Sequence, residues 1–371
     1  MKKIYGVFLS SLLFLLILCG CNTMQQTIPT YSWSTIGSAG FSKGEASYIS
    51  LFVYNDTPYV AYVDEGNSNE ATVMKFNGST WETVGQAGFS AGSVDHISLY
   101  VYNSIPYVAY RDSGNSNKAT VMKYNGIGWE NVGSAGFSAA AIYYTSLYIY
   151  NGTPYIAYAD GGNSYKVTVM KYNGTAWENV GSAGFSGASA PYTSLYVYNG
   201  TPYVAFSDSA HASRATVMKY NGSGWENVGG PGFSAGQADF TSLYIDNDIP
   251  YVAYSDVPNS RKANVKKYNG YLWEDVGSPD FSAGQADCTS LSVYNSTPYI
   301  AYVDAGNSSE ATVLKFGGST WETVGQAGFS GRVTYYTSLF ICNGIPYIAF
   351  AAADLNDVDY LYKATVMKYG P

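Results

Sequence analysis

Three carboxylates stand close together near the C-terminus: Asp354, Asp357 and Asp359. Such a set could hold a hard cation such as calcium, but the EF-hand spacing is missing and a solvated insertion is the competing reading. A second set of acids, Asp64, Asp112, Asp160, Asp208, Asp256 and Asp304, recurs at the end of a predicted strand. Asp at such places accepts from nearby backbone N–H groups, so a turn role competes with a ligand or metal role. The only two histidines are His96, where sister segments have Tyr, and His211, where they have Asn. Both read as packed or surface substitutions. A glycosidase would need two carboxylates facing one pocket. Glu82, Glu130, Glu178, Glu226, Glu274 and Glu322 each follow a Trp instead, and read as surface partners of a repeated Lys. No HExxH, P-loop, GxSxG or paired-Cys motif is present, so no residue is nominated as catalytic.

The elements that would position these residues repeat. Seven tryptophans, from Trp33 to Trp321, stand at intervals of 48 residues. One unit shows the plan. Residues 146–150 alternate and are rich in strand formers, and Asn151-Gly152 is a hairpin turn signal. Residues 154–158 form a second strand with proline first, where a lost N–H is tolerated. A polar loop, a third strand over 167–172, an Asn173-Gly174 turn and a short fourth strand at 177–180 complete the unit. One four-stranded sheet of this length cannot bury both faces, whereas a radial array of such sheets can.

The ends set the count. The chain enters at a fourth-strand phrase, residues 33–37, and leaves after a third-strand phrase, residues 364–369. The expectation is all-β: a seven-bladed β-propeller of four-stranded antiparallel blades, with the N-terminal strand closing the last blade and removing the open edges. The pattern GFS…TSL…TPYVAY.D..NS..ATVMKYNG..W resembles repeats in secreted and surface proteins of bacteria, over residues 33–371. That resemblance brings no known catalytic residues. The architecture is similar to kelch and WD40 proteins, without their double-Gly and Trp-Asp signatures.

Where the copies stop agreeing, binding is expected. Variation gathers in two loops. One lies before Ser-Leu: 43–47, 91–95, 139–143, 187–191 and 331–335. The other lies between the second and third strands and holds Glu65, Arg111, His211, Arg214, Arg261 and Lys262. In an up-and-down blade both loops share one end, opposite the Asn-Gly turns. The candidate ligand-binding residues are Arg111, Asp112, Tyr143, Asp160, His211, Arg214, Arg261 and Tyr335. The 38 tyrosines invite a sugar-stacking reading, but most recur at fixed strand positions, where blade packing is the default. Cys288 and Cys342 replace aromatic residues and read as substitutions in packed positions.

Lys2, Lys3, an apolar run and Leu18-Cys19-Gly20-Cys21 resemble a bacterial lipoprotein signal. The resemblance implies cleavage after residue 20, lipid on Cys21, a polar tether over 21–32 and display in the periplasm or at the cell surface. A plain secretory signal or uncleaved anchor is the alternative. The net charge of −8, without basic runs, excludes nucleic acid and docking on anionic lipid through a basic patch. The membrane would be reached through the lipid alone. The expected function is a monomeric binding module for a protein or glycan, without a cofactor. The alternatives are a carbohydrate-active enzyme and a structural or adhesive surface protein.

Overall fold

A computed structural model describes residues 30–353 and 361–371. Cys21 with the segment before it, and Asp354, Asp357 and Asp359, lie outside the described residues. The described chain forms seven four-stranded antiparallel sheets. In blade three the inner strand is Ile142–Tyr150, followed by Thr153–Asp160, Lys166–Tyr172 and the outer strand Trp177–Asn179. Blade seven takes its outer strand from the N-terminus: Ser32–Thr35 pairs with Tyr362–Gly370, with Trp33 opposite Tyr369. The ring is therefore closed as the offset ends require.

The inner strand is longer than its alternation suggests. Residues 142–145 belong to it, and its register shifts between Tyr143 and Ser146. A bulge adds one residue, so the period of two breaks there and the segment reads as loop. The bulge residue Tyr144 has φ 55°, and the equivalent residue in every other blade is also left-handed.

Blades pack large against small. In the second strand, Tyr110 and Val108 point to one face and Ala109 to the other. Tyr110 packs on the face of blade one that carries Ala61 and Ala71, where it is 1% exposed. Ala109 and Ala119 receive Tyr158 of blade three in the same way. The sequence Val-Ala-Tyr thus makes each blade complementary to its neighbour. The same packing joins blade seven, through Ala349 and Ala364, to Tyr62 of blade one.

Hydrogen bonds repeat around the ring. The Leu99 N–H donates to Ser50 Oγ of the previous blade at 3.0 Å, and Leu51 N–H closes the set on Ser338 Oγ at 3.0 Å. Trp129 Nε1 donates to the Val84 carbonyl at 2.7 Å, and its ring stacks on Phe89 at 4.0 Å. Trp33 does the same with Val324 O at 2.6 Å and Phe329 at 4.0 Å. The glycine after that valine is required. Gly85 has φ 72°, and a Cβ there would meet the Tyr124 ring at 2.8 Å. The recurrent Trp-to-Phe phrase is thus a staple between blades.

Candidate functional site

The two variable loops do share one end. Gly161 N–H donates to Ala141 O at 2.9 Å, and Glu65 N–H to Glu45 O at 3.0 Å, each bond tying the loop after the second strand to the loop before the first. The other end carries the Asn-Gly turns and repeated surface pairs such as Lys75–Glu82 at 3.3 Å and Lys123–Glu130 at 3.3 Å. Those pairs match the role expected of the periodic glutamates.

At the variable end the inner strands surround the mouth of the central channel. A cavity of ≈ 290 Å³ lies there. Its lining comes from the bulges, and both Tyr144 and Thr145 reach it. Simple alternation forbids two consecutive residues on one face; the bulge allows it. The bulge residues form an aromatic collar. Ring centroids run from Tyr336 to Tyr48 at 5.2 Å, to His96 at 5.0 Å, to Tyr144 at 4.9 Å, to Tyr192 at 5.0 Å and to Phe240 at 5.0 Å. Cys288 takes the place in blade six. A second tier lies four residues further along each strand, from Phe340 through Phe52, Tyr100, Tyr148 and Tyr196 to Tyr244. Thr145 Oγ1 donates to His96 O, and Thr193, Thr241, Thr289 and Thr337 repeat that tie to the collar residue of the preceding blade.

Seven residues held left-handed at one end of one channel, six of them bulky, are a repeated strain, and such strain collects at functional sites. Burial also tunes the collar. It lowers the His96 pKa, with Asp95 opposing and Arg111 assisting the shift, so the imidazole is neutral near pH 7. Burial lifts the Tyr192 and Tyr336 hydroxyls to about 12 and the Cys288 thiol to about 11. The collar offers apolar faces, hydroxyls and a neutral imidazole.

Two charged groups stand beside the collar. Arg111 binds Asp95 at 2.6 Å and lies 4.5 Å over the Tyr143 ring. Arg261 binds Asp239 and approaches Asp287 at 3.8 Å. By blade order these groups sit on opposite sides of the ring. Each keeps a buried polar atom without a hydrogen-bond partner: Arg111 Nε and Asp95 Oδ1 in one, Arg261 Nε in the other. Tyr335, 45% exposed, packs edge-on against Tyr362 at 4.8 Å on blade seven.

The predicted residues therefore divide. The structure brings Arg111 and Tyr143 together and puts Arg261 and Tyr335 on the same end. Asp112 and Asp160 are buried in their own blades. Asp112 accepts from Thr120 at 2.7 Å and Asn115 at 2.8 Å, and Asp160 from Thr168 at 2.8 Å and Gly162 N–H at 2.9 Å. His211 takes over the Asn role, with Nδ1 2.8 Å from Asp208. Arg214 is exposed at the start of its strand, bridged to Gln237. His96 and Cys288 are not merely packed substitutions, because both line the channel mouth. The signal for the collar was present in the recurring Tyr before Thr-Ser-Leu or Ile-Ser-Leu, replaced once each by His, Phe and Cys. Without the bulge its direction could not be read. Cys288 and Cys342 are free thiols. Among the described residues, no group of three or more His, Cys, Asp or Glu is placed to hold a metal.

No protein-family model matches the chain, and no curated protein sequence does. Solved propeller structures do. A polysaccharide lyase described as an ulvan lyase aligns at TM-score 0.55 and 12% identity, over 84% of this chain and 92% of that one. A variant of AofleA from Arthrobotrys oligospora aligns at TM-score 0.52 and 11% identity, over 79% and 88%. The Aleuria aurantia lectin in complex with Fucα1-6GlcNAc aligns at TM-score 0.50 and 12% identity, over 78% and 97%. At these identities the likeness is one of fold: the chain is a seven-bladed β-propeller similar in architecture to a lectin and a polysaccharide lyase.

Proposed function

We propose that this protein is a non-catalytic glycan-binding propeller that takes its ligand at the channel mouth. The observation that carries the reading is the aromatic collar around a ≈ 290 Å³ cavity, flanked by Arg111–Asp95–Tyr143 and Arg261–Asp239–Asp287. Pyranose rings have apolar C–H faces and polar edges. A site of aromatic walls with a few placed charged groups matches both. The solved lectin neighbour adds a fold on which sugar binding is seen, and the lyase neighbour adds one on which a polysaccharide is cleaved. Binding is favoured over glycoside hydrolysis because Asp95 and Asp239 are each engaged by an arginine, whereas hydrolysis needs two carboxylates poised on one bond.

Lipidation at Cys21 belongs to the same proposal. The chain enters blade seven at Ser32, opposite Gly370, at the end that carries the Asn-Gly turns. A lipid upstream of Ser32 would tether that end and leave the variable mouth facing away from the membrane. The test is a printed glycan array probed with the full chain in detergent, followed by assay of the bound glycans for turnover. Saturable binding without turnover is the expected result. A blank array, capture of proteins only, or release of shortened glycans would overturn it.

A further inference from the structure

The collar is not a closed ring. Both aromatic tiers are interrupted, and both at blade six. In that strand the collar position holds Cys288 and the position four residues on holds Ser292. Elsewhere in the channel each collar ring meets the next, but no ring contact joins Phe240 to Tyr336 across the blade. Tilted aromatic pairs stabilise one another, so the small residues give up packing in both tiers. Cys288 is the bulge residue and Ser292 lies past the shift, and the two tiers of ring contacts at the equivalent positions of the other blades show that both positions face the channel. The two small side chains therefore leave a slot in the aromatic wall, which reaches the mouth cavity at Cys288, with Ser292 buried below it.

The slot has defined chemistry. Phe240 and Tyr336 flank Cys288 in the neighbouring blades, and all three residues are among those from every blade that line the cavity at the channel mouth. Asp239 directly precedes Phe240, Asp287 directly precedes Cys288, and Arg261 engages both carboxylates. Asp239 is 4% exposed and also accepts from Gln237 at 3.0 Å, so the polar side of the slot is held in place. Arg261 Nε is buried and faces Asp287 Oδ1 at 3.8 Å, beyond hydrogen-bond distance. Apolar walls with a fixed Asp–Arg–Asp edge suit one sugar ring, with its faces against the aromatics and its hydroxyls on the charged edge. The whole channel mouth into which the slot opens holds ≈ 290 Å³, just below the about 300–1,000 Å³ range of small-ligand pockets.

We infer that the blade-six slot is the specificity subsite of this propeller and seats a single terminal sugar residue of a glycan, one per molecule, despite seven repeats. This rests on the glycan-binding reading above and deepens it. The test uses the full chain in detergent, with the array's tightest-binding oligosaccharide titrated by calorimetry. Cys288→Tyr fills the slot with the residue found at positions 48, 144, 192 and 336, so the left-handed backbone there accepts it. Binding at a stoichiometry near one, weakened at least tenfold by C288Y and changed less than threefold by C288S, is expected. Tyr336→Ala, which removes one wall, is expected to weaken binding at least tenfold. Undiminished binding by a folded C288Y, or a stoichiometry near seven, overturns the slot and leaves the glycan reading standing. If C288Y does not fold, undiminished binding by Y336A overturns the slot instead. A wild-type protein blank on the array overturns both.

Discussion

The two ends of the disc are built from the same strands and behave differently. At the turn end, blade after blade repeats one arrangement: an Asn-Gly turn, an Asn side chain on Glu, and Lys beside that Glu, as in Asn125 on Glu130 at 2.8 Å. At the mouth end, the groups presented change from blade to blade. Blade two offers Arg111 with Asp95, blade five Asp239 under Arg261, blade six the gap at Cys288, and blade seven Tyr335 on Tyr362. The backbone framework is the same at both ends. What differs is that side chains above the bulge contact one another across blades only at the mouth, so they can vary without breaking a ladder. Repetition maintains the scaffold, and its local failure makes a site.

That contrast can be broken by experiment. The largest effect is expected at closure, which belongs to the scaffold. Removing residues 30–36 exposes the third strand of blade seven and deletes the Trp33 staple, and should abolish cooperative thermal unfolding. An unchanged melting curve would contradict a closed ring. Tyr110→Ala should cost about 3–5 kcal/mol, because a fully buried ring is removed from an interface whose small partners cannot collapse onto it. Denaturant unfolding would measure it.

Smaller effects separate the two ends further. Arg261→Met should destabilise by about 1–3 kcal/mol, since it leaves buried Asp239 without its charged partner. It should also weaken glycan binding, and calorimetry would read that. His96 adds a pH signature. Its folded pKa lies below the ordinary value of about 6.5, so the unfolded chain binds the proton more readily. Its contribution is complete above about pH 6.5 and declines as pH falls below that value. Melting temperature against pH should therefore drop less steeply between pH 7 and 5 in His96→Tyr than in the native chain. Equal slopes would mean that the imidazole does not titrate differently on folding. At the turn end, Glu82→Gln removes only an exposed pair and should leave both melting temperature and glycan binding unchanged.

Much of the fold was legible because it is written seven times. Trp spacing gave the blade count, and the orphan phrases around Trp33 and Tyr369 gave the closure. The periodic glutamates were legible for the same reason. Parts of the site were not. His96 looked like an isolated substitution because its neighbours in the collar, Tyr48 and Tyr144, are each 48 residues away in sequence. Asp112 and Asp160 looked like candidate ligands because their partners Thr120 and Thr168 sit eight residues on, in another strand. Arg111 and Tyr143 were both chosen as variable, but nothing in their spacing showed that they would stack.

By itself the sequence determined the periodic part of this protein: seven units, four strands in each, strand polarity, turn positions and the shared end of the variable loops. Hairpin signals and alternation are local, and local physics is enough to read them. Only the tertiary structure decided which residues face the channel. That depends on a bulge that adds one residue and reverses the alternation, and on ring closure that brings blade seven beside blade one. The gap at Cys288 and Ser292 has meaning only inside a closed aromatic wall, and no single strand contains that wall.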